Sequence, residues 1–196
     1  NGYWMCDIGR FGYHWLEGDT RLTTPAVREV SGAQAPATWA AALGRVREAL
    51  TPVLKENAAS FRMVVSAHAS TEEFFLVREL VRRVQGASAE RLVSVSWRNT
   101  RKSQPAHTKF VVPEVDAPNV AGARDIGFAA APDADGAGSL NGLRSAVDAG
   151  AVKAVYVVDP GPASLMGDMA WLAEARTSGK VTFLAVQAVE SSVLTA

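Results

Sequence analysis

The chain has 196 residues, enough for one sizeable core or for one domain with an appended layer. Its 20 Lys and Arg balance 20 Asp and Glu, so there is no broad cationic field of the kind that holds nucleic acid. No apolar run reaches membrane-spanning length, because charges and glycines interrupt each one. A single Cys excludes an internal disulfide and fits a reducing compartment, the cytoplasm.

That Cys lies in the first stretch, Tyr3-Trp4-Met5-Cys6-Asp7-Ile8-Gly9-Arg10-Phe11-Gly12-Tyr13. A lone Cys is ordinarily a small buried hydrophobe. Here Gly9 and Gly12 permit tight turns, Asp7 and Arg10 sit close enough to pair, and Trp4, Phe11, Tyr13 and Trp15 supply an apolar wall. Such surroundings suit a sulfur-ligated iron centre, whose potential depends on burial and on hydrogen bonds to sulfur. One thiolate cannot hold a [4Fe-4S] cluster, which takes four, so further ligands would have to come from outside this chain. With Asn1 in first place and no initiator Met, the sequence reads as an internal piece of a longer polypeptide.

Up to about Gly32, Gly, Thr and aromatic residues without a sustained period predict loops and short strands lying as a lid, with a hairpin strand over Val27–Val30. From Thr38, a plausible N-cap, Trp39, Ala42, Leu43, Val46, Leu50 and Val53 recur at helical spacing and predict one apolar face. Pro52 predicts a kink or a new helical start. Phe61–Val65 then reads as a buried parallel strand, and Ser70 to Glu73 has the form of a capping box. A helix follows with Phe74, Val77, Leu80, Val81 and Val84 inward and Gly86 at its end. The strand Leu92–Ser96 completes a strand-helix-strand crossover.

Residues 97 to 137, with Pro105, Pro113, Pro118 and Pro132, read as irregular. Within them, Asp133 to Gly138 is linker-like and lacks the later acid of a calcium loop. Ser139 caps a helix with Leu140, Leu143, Ala146 and Val147 inward and Gly150 closing it. The strand Ala154–Val158, a break at Asp159-Pro160-Gly161-Pro162, a helix bearing Leu165, Met169, Leu172 and Ala173, and the strand Val181–Val186 complete the chain. Alternating strands and helices predict an α/β fold, a three-layer Rossmann-like parallel sheet.

Ligands of such sheets bind beyond the carboxyl ends of the strands, which singles out the turns Ser66 to Ser70, Trp97 to Arg101 and Asp159 to Ala163. None carries the Gly-x-Gly-x-x-Gly fingerprint of a dinucleotide site, and Ser66 and Ser70 lie in no nucleophile elbow. The basic run Arg98-Asn99-Thr100-Arg101-Lys102 reads as a solvated loop. His14, His68 and His107 have no metal-ligand spacing, and His68 reads as a hydrogen-bonded turn residue.

Several segments together resemble a known family. Asn1-Gly2-Tyr3-Trp4-Met5-Cys6-Asp7-Ile8-Gly9-Arg10-Phe11, Asp19-Thr20-Arg21-Leu22-Thr23-Thr24-Pro25, Thr38-Trp39-Ala40-Ala41-Ala42-Leu43 and Pro118-Asn119-Val120-Ala121-Gly122-Ala123-Arg124-Asp125-Ile126-Gly127 are similar, in this order, to segments of the large iron-sulfur subunit of bacterial NADH:quinone oxidoreductase, respiratory complex I. That family belongs to the molybdopterin oxidoreductase superfamily, which also includes formate dehydrogenase and DMSO reductase.

The resemblance implies that Cys6 is the last ligand of a [4Fe-4S] cluster whose other thiolates lie upstream. Residues 1–36 would be the end of the cluster segment and a linker, and residues 37–196 part of the molybdopterin-oxidoreductase-like α/β domain. It implies no molybdopterin here, no catalytic residue in this piece, and other peripheral-arm subunits of complex I as partners. It also implies a place in the cytoplasm, peripheral to the inner membrane through the complex, with no nucleic acid and no direct membrane insertion. By itself the piece is expected neither to oxidise NADH nor to hold a cluster. Two alternatives are a piece of an active molybdopterin enzyme such as formate dehydrogenase, and a nucleotide-binding Rossmann-like module.

Overall fold

The computed structural model describes residues 10–98, 104, 106, 107, 109, 117–128, 139–162 and 165–195. Cys6, the linker-like run 133–138 and the basic residues Arg101 and Lys102 lie outside them. A 3-10 turn, His14–Glu17, precedes a two-stranded antiparallel hairpin of β1 (Ala26–Arg28) and β2 (Gln34–Pro36). The hairpin is shorter than the sequence predicts, because Glu29 and Val30 belong to the turn, which Gly32 closes at φ +90°.

Helix α1 (Trp39–Asn57) begins where predicted, with the Thr38 hydroxyl accepting from the Ala41 amide. It runs through Pro52 as a single helix, so no new helix starts there. The predicted apolar face is corrected at its first turns: Trp39 and Leu43 are 67% and 56% exposed, whereas Leu50, Val53 and Leu54 pack on the core. Periodicity located a stripe, but only the second half of the helix reaches the sheet.

The second sheet contains β3 (Phe61–Ser66), β4 (Val93–Ser96), β5 (Ala154–Asp159) and β6 (Phe183–Ala188), all parallel, in the order β4-β3-β5-β6. Val65 stands in register with Val95 on one side and Val158 on the other. Both faces of β3 and β5 are covered, which is why these strands read as continuous apolar runs rather than alternating ones.

On one face lie α1, α2 (Thr71–Gln85) and α3 (Val120–Ile126), with Phe61, Met63, Val65, Phe74, Val77, Val81, Val120 and Ala123 interleaved. On the other lie α4 (Leu140–Asp148) and α5 (Ala170–Thr177), where Val64, Val155 and Val157 meet Leu143, Val147 and Leu172. The fold is therefore the expected three-layer, Rossmann-like α/β arrangement.

The local stop and start signals operate as the sequence implies. Ser70 accepts from the Glu73 amide at 3.2 Å while the Glu73 carboxylate accepts from the Ser70 amide at 2.8 Å, a complete capping box. Gly86 ends α2 at φ +92°, and Ser139 accepts from the Gly142 amide at the start of α4. Three further readings are corrected. Leu80, expected inside, is 44% exposed, and part of the segment read as irregular is the helix α3. That helix is seven residues long and is held by tertiary contacts: Ala123 is fully buried, and Phe128 just beyond it meets Phe74 edge-on at 5.7 Å. Leu165, predicted in the helix of α5, precedes it in a turn whose backbone accepts from the Arg98 amide.

Candidate functional site at the switch of the sheet

The chain winds from β3 outward to β4, then returns past β3 to β5 and continues to β6. The winding reverses between β3 and β5, and the crevice outside their carboxyl ends is where open α/β sheets receive ligands. Two of the turns singled out from sequence meet there, Ser66 to Ser70 after β3 and Asp159 to Pro162 after β5.

Ser66 and Asp159 are the last residues of their strands, and both are buried. The Ser66 hydroxyl stands 3.5 Å from Nδ1 of His68 and accepts from the His68 amide at 3.3 Å. His68 thus is the hydrogen-bonded turn residue the sequence implies. His68 packs against Gly161, where an added Cβ would come within 3.1 Å of the His68 Cβ, so a larger residue there would press the two turns apart by a few tenths of an ångström.

Asp159 is the most perturbed acid of the crevice. Burial pushes its carboxyl up to about 6, and the charge of Glu190 adds to this, while hydrogen bonding from Ser66 and the Gly161 amide offsets part of it. One carboxylate oxygen, Oδ1, is buried with no hydrogen-bond partner. From sequence, Asp159-Pro160-Gly161 read only as a strand break; nothing local signalled that the Asp would be enclosed.

The amides of the β3–α2 turn are taken within the chain. Ala67 donates to the Ser96 carbonyl, His68 to the Ser66 hydroxyl, Ala69 to the Ser66 carbonyl and Ser70 to the Glu73 carboxylate. Asn119 closes the turn from above: its amide donates to Ala67 O at 3.1 Å, and its side-chain Nδ2 donates to Ala69 O at 2.9 Å and to the Thr71 hydroxyl at 3.2 Å. Glycine at 122 lets α3 lie this close, because a Cβ there would run into the Asn119 and Thr71 side chains. Two acids, Glu72 and Glu73, occupy the first turn of α2. At this helix start the Ser70 and Glu73 amides are thus taken by groups of the chain itself, and two acids stand in the first turn, where a phosphate would call for donors and positive charge.

Among the described residues no group of three or more His, Cys, Asp or Glu gathers to hold a metal ion, and His14 lies far along the chain in its 3-10 turn. Cys6 lies outside the described residues. No helix among them is long and apolar enough to cross a membrane. At the opposite, amino end of the sheet, a groove of about 420 Å³ lies between Glu56, Asn57 and Ser60 on one side and Gly150, Lys153 and Thr182 on the other.

No protein-family model matches the chain. Similarity to curated proteins is partial. Over 43 residues, 22% of this chain, it is 49% identical to the NADH-quinone oxidoreductase subunit designated G of Streptomyces coelicolor. Over 85 residues, 43% of this chain, it is 34% identical to NADH-quinone oxidoreductase subunit 3 of Thermus thermophilus. These matches cover 5% and 10% of the two relatives, so the chain corresponds to a small part of either. The chain is therefore related in part to subunits of NADH-quinone oxidoreductase.

Proposed function

We propose that this chain is part of the iron-sulfur subunit of an NADH:quinone oxidoreductase, a complex I type of assembly. In this reading Cys6 supplies one thiolate to a [4Fe-4S] cluster, the other thiolates come from residues beyond this sequence, and the α/β domain serves as an assembly scaffold for electron transfer from NADH to quinone. The observation that carries it is the partial identity with two subunits of that enzyme, together with four motifs in the same order along the chain.

The crevice supports the scaffold role over that of a molybdopterin or nucleotide site. A pterin nucleotide brings phosphates, and the β3–α2 turn meets them with occupied amides, the acids Glu72 and Glu73, and the enclosed carboxyl of Asp159. These residues do not fit such a group, and neither a molybdopterin step nor a nucleotide-dependent one is assigned to this domain. A cluster bound at Cys6 would supply one-electron transfer, with burial and hydrogen bonds to sulfur setting its potential.

The test is the metal content of the full-length subunit, purified without oxygen, beside its Cys6→Ser variant. The proposal expects the variant to lose roughly four iron and the matching sulfide per chain, the content of one [4Fe-4S] cluster. Molybdenum and tungsten should be absent from both. Unchanged iron would return Cys6 to a packing role, and stoichiometric molybdenum or tungsten would make this part of an active pterin enzyme.

A further inference from the structure

Asp159 holds an oxygen that the fold leaves unsatisfied. Its Oδ1 is buried and has no hydrogen-bond partner, and the help the carboxyl does receive comes from the Ser66 hydroxyl and the Gly161 amide. A Cβ built on Gly161 would stand 3.2 Å from Cγ of His68 and 3.8 Å from that oxygen, so the turn after β3, the turn after β5 and the bare oxygen meet at one point. The turn after β5 is lightly tied. Pro160 and Pro162 lack an N–H, which leaves the Gly161 amide as the only backbone donor across residues 160–162.

The groups around this point offer a charged carboxyl little. From the β3–α2 turn it is faced by His68, and from the residues after β6 by Glu190, whose charge opposes ionisation. β3 and β4 end in the hydroxyls of Ser66 and Ser96, and the latter donates to the Met166 carbonyl. In the first turn of α2, Glu73 accepts from the Ser70 amide and Glu72 is exposed, as are Arg98 beyond β4 and Asp168 before α5. No Lys or Arg among the described residues pairs with Asp159.

A neutral carboxyl tolerates such enclosure, whereas an ionised one needs donors that only water can bring. We propose that the contact between the two turns is a pH-dependent closure, shut while Asp159 is protonated and opened locally to water when Asp159 is charged. The opened form remains a minority, and what changes with pH is how often the turns part. The sign follows from proton binding. Asp159 titrates at about 6 when enclosed and near its ordinary 3.8 when water reaches it, so the closed form keeps its proton to higher pH. Opening therefore becomes easier as pH rises between about 4 and 6, and levels off above. The device involves neither Cys6 nor a cluster.

Hydrogen exchange of the full-length subunit tests it, with single amides resolved by fragmentation mass spectrometry and the intrinsic pH dependence of exchange divided out. The Gly161 amide should open more often than that of Val157 within β5, and its opening should increase roughly twentyfold between pH 4.5 and 7.5, the ratio that titration at 3.8 open and about 6 closed requires. Asp159→Asn should flatten this rise. His68→Gln should leave the rise in place, and it keeps the proposal testable should the first variant fail to fold. A Gly161 amide that exchanges no faster than Val157 would mean that only global unfolding exposes it, and would overturn the proposal. So would a rise that persists in Asp159→Asn or disappears in His68→Gln, since the titrating group would then be the histidine.

Discussion

Replacing Asp159 with Asn should make this domain more stable at neutral pH. The carboxyl is enclosed at the end of β5 and sits at about 6 rather than its ordinary value near 3.8, chiefly through loss of solvation. Such a displacement corresponds to about 3 kcal/mol against the charged form. The sign follows from proton binding. Between about pH 4 and 6 the folded state holds a proton that the unfolded state has released, so wild-type stability falls as pH rises through that window and levels off above it. Asn keeps the shape and cannot ionise, but its new N–H group needs an acceptor in the crevice. The net gain at pH 7.5 is therefore expected to be about 1–2 kcal/mol, smaller than the full penalty. Urea unfolding of wild type and Asp159→Asn at pH 4.5 and 7.5 measures it. The two proteins should be close at pH 4.5 and diverge at 7.5, with the variant ahead. Parallel pH dependence, or a variant less stable at 7.5, would refute the burial argument.

Removing the Asn119 side chain as Asn119→Ala should cost about 1–2 kcal/mol, because the Ala69 carbonyl and the Thr71 hydroxyl lose a donor. Amide exchange at residues 66–71 should quicken in that variant, and unchanged exchange would mean that Asn119 does not hold the turn. Phe74→Ala empties a fully buried site packed edge-on against Phe128 and should cost about 3–5 kcal/mol in thermal or urea unfolding. Glu90 is held at about 2 by the hydrogen bond from Arg82, so its contribution is present above ordinary carboxyl values and is lost as pH falls toward 2. In Arg82→Ala the Glu90 carboxyl resonance should titrate at a higher pH by NMR, and an unmoved titration would count against the pair.

What the sequence made legible is what is decided locally. The capping box at Ser70 and Glu73, the Ser139 cap and the glycines at 86 and 150 end or start helices through contacts a few residues long, so they can be read without the fold. The central strands β3 and β5 announced themselves because burial on both faces forces a continuous apolar run. What escaped depends on distant partners. Trp39, Leu43 and Leu80 lie on apolar stripes, yet periodicity does not say how far along a helix the sheet extends or what stands beside it. The helix α3 was hidden by Pro118, Gly122 and Gly127, and it exists because Asn119 and Ala123 are fixed against the β3–α2 turn and α2. Two of the three turns that sequence placed at the ligand-binding edge do meet at the switch of the sheet. That one is closed by the chain's own amide and carboxylate groups could be seen only once β3, β5 and α3 were brought together.

The measurement that bears most directly on the central claim is electron paramagnetic resonance of the full-length subunit after chemical reduction, wild type beside Cys6→Ser. If Cys6 is a cluster ligand, a reduced [4Fe-4S] signal present in wild type is lost or changed in the variant, while the thermal midpoint of the α/β domain stays where it was. Identical spectra from the two proteins would contradict the account and leave Cys6 as an ordinary packing residue.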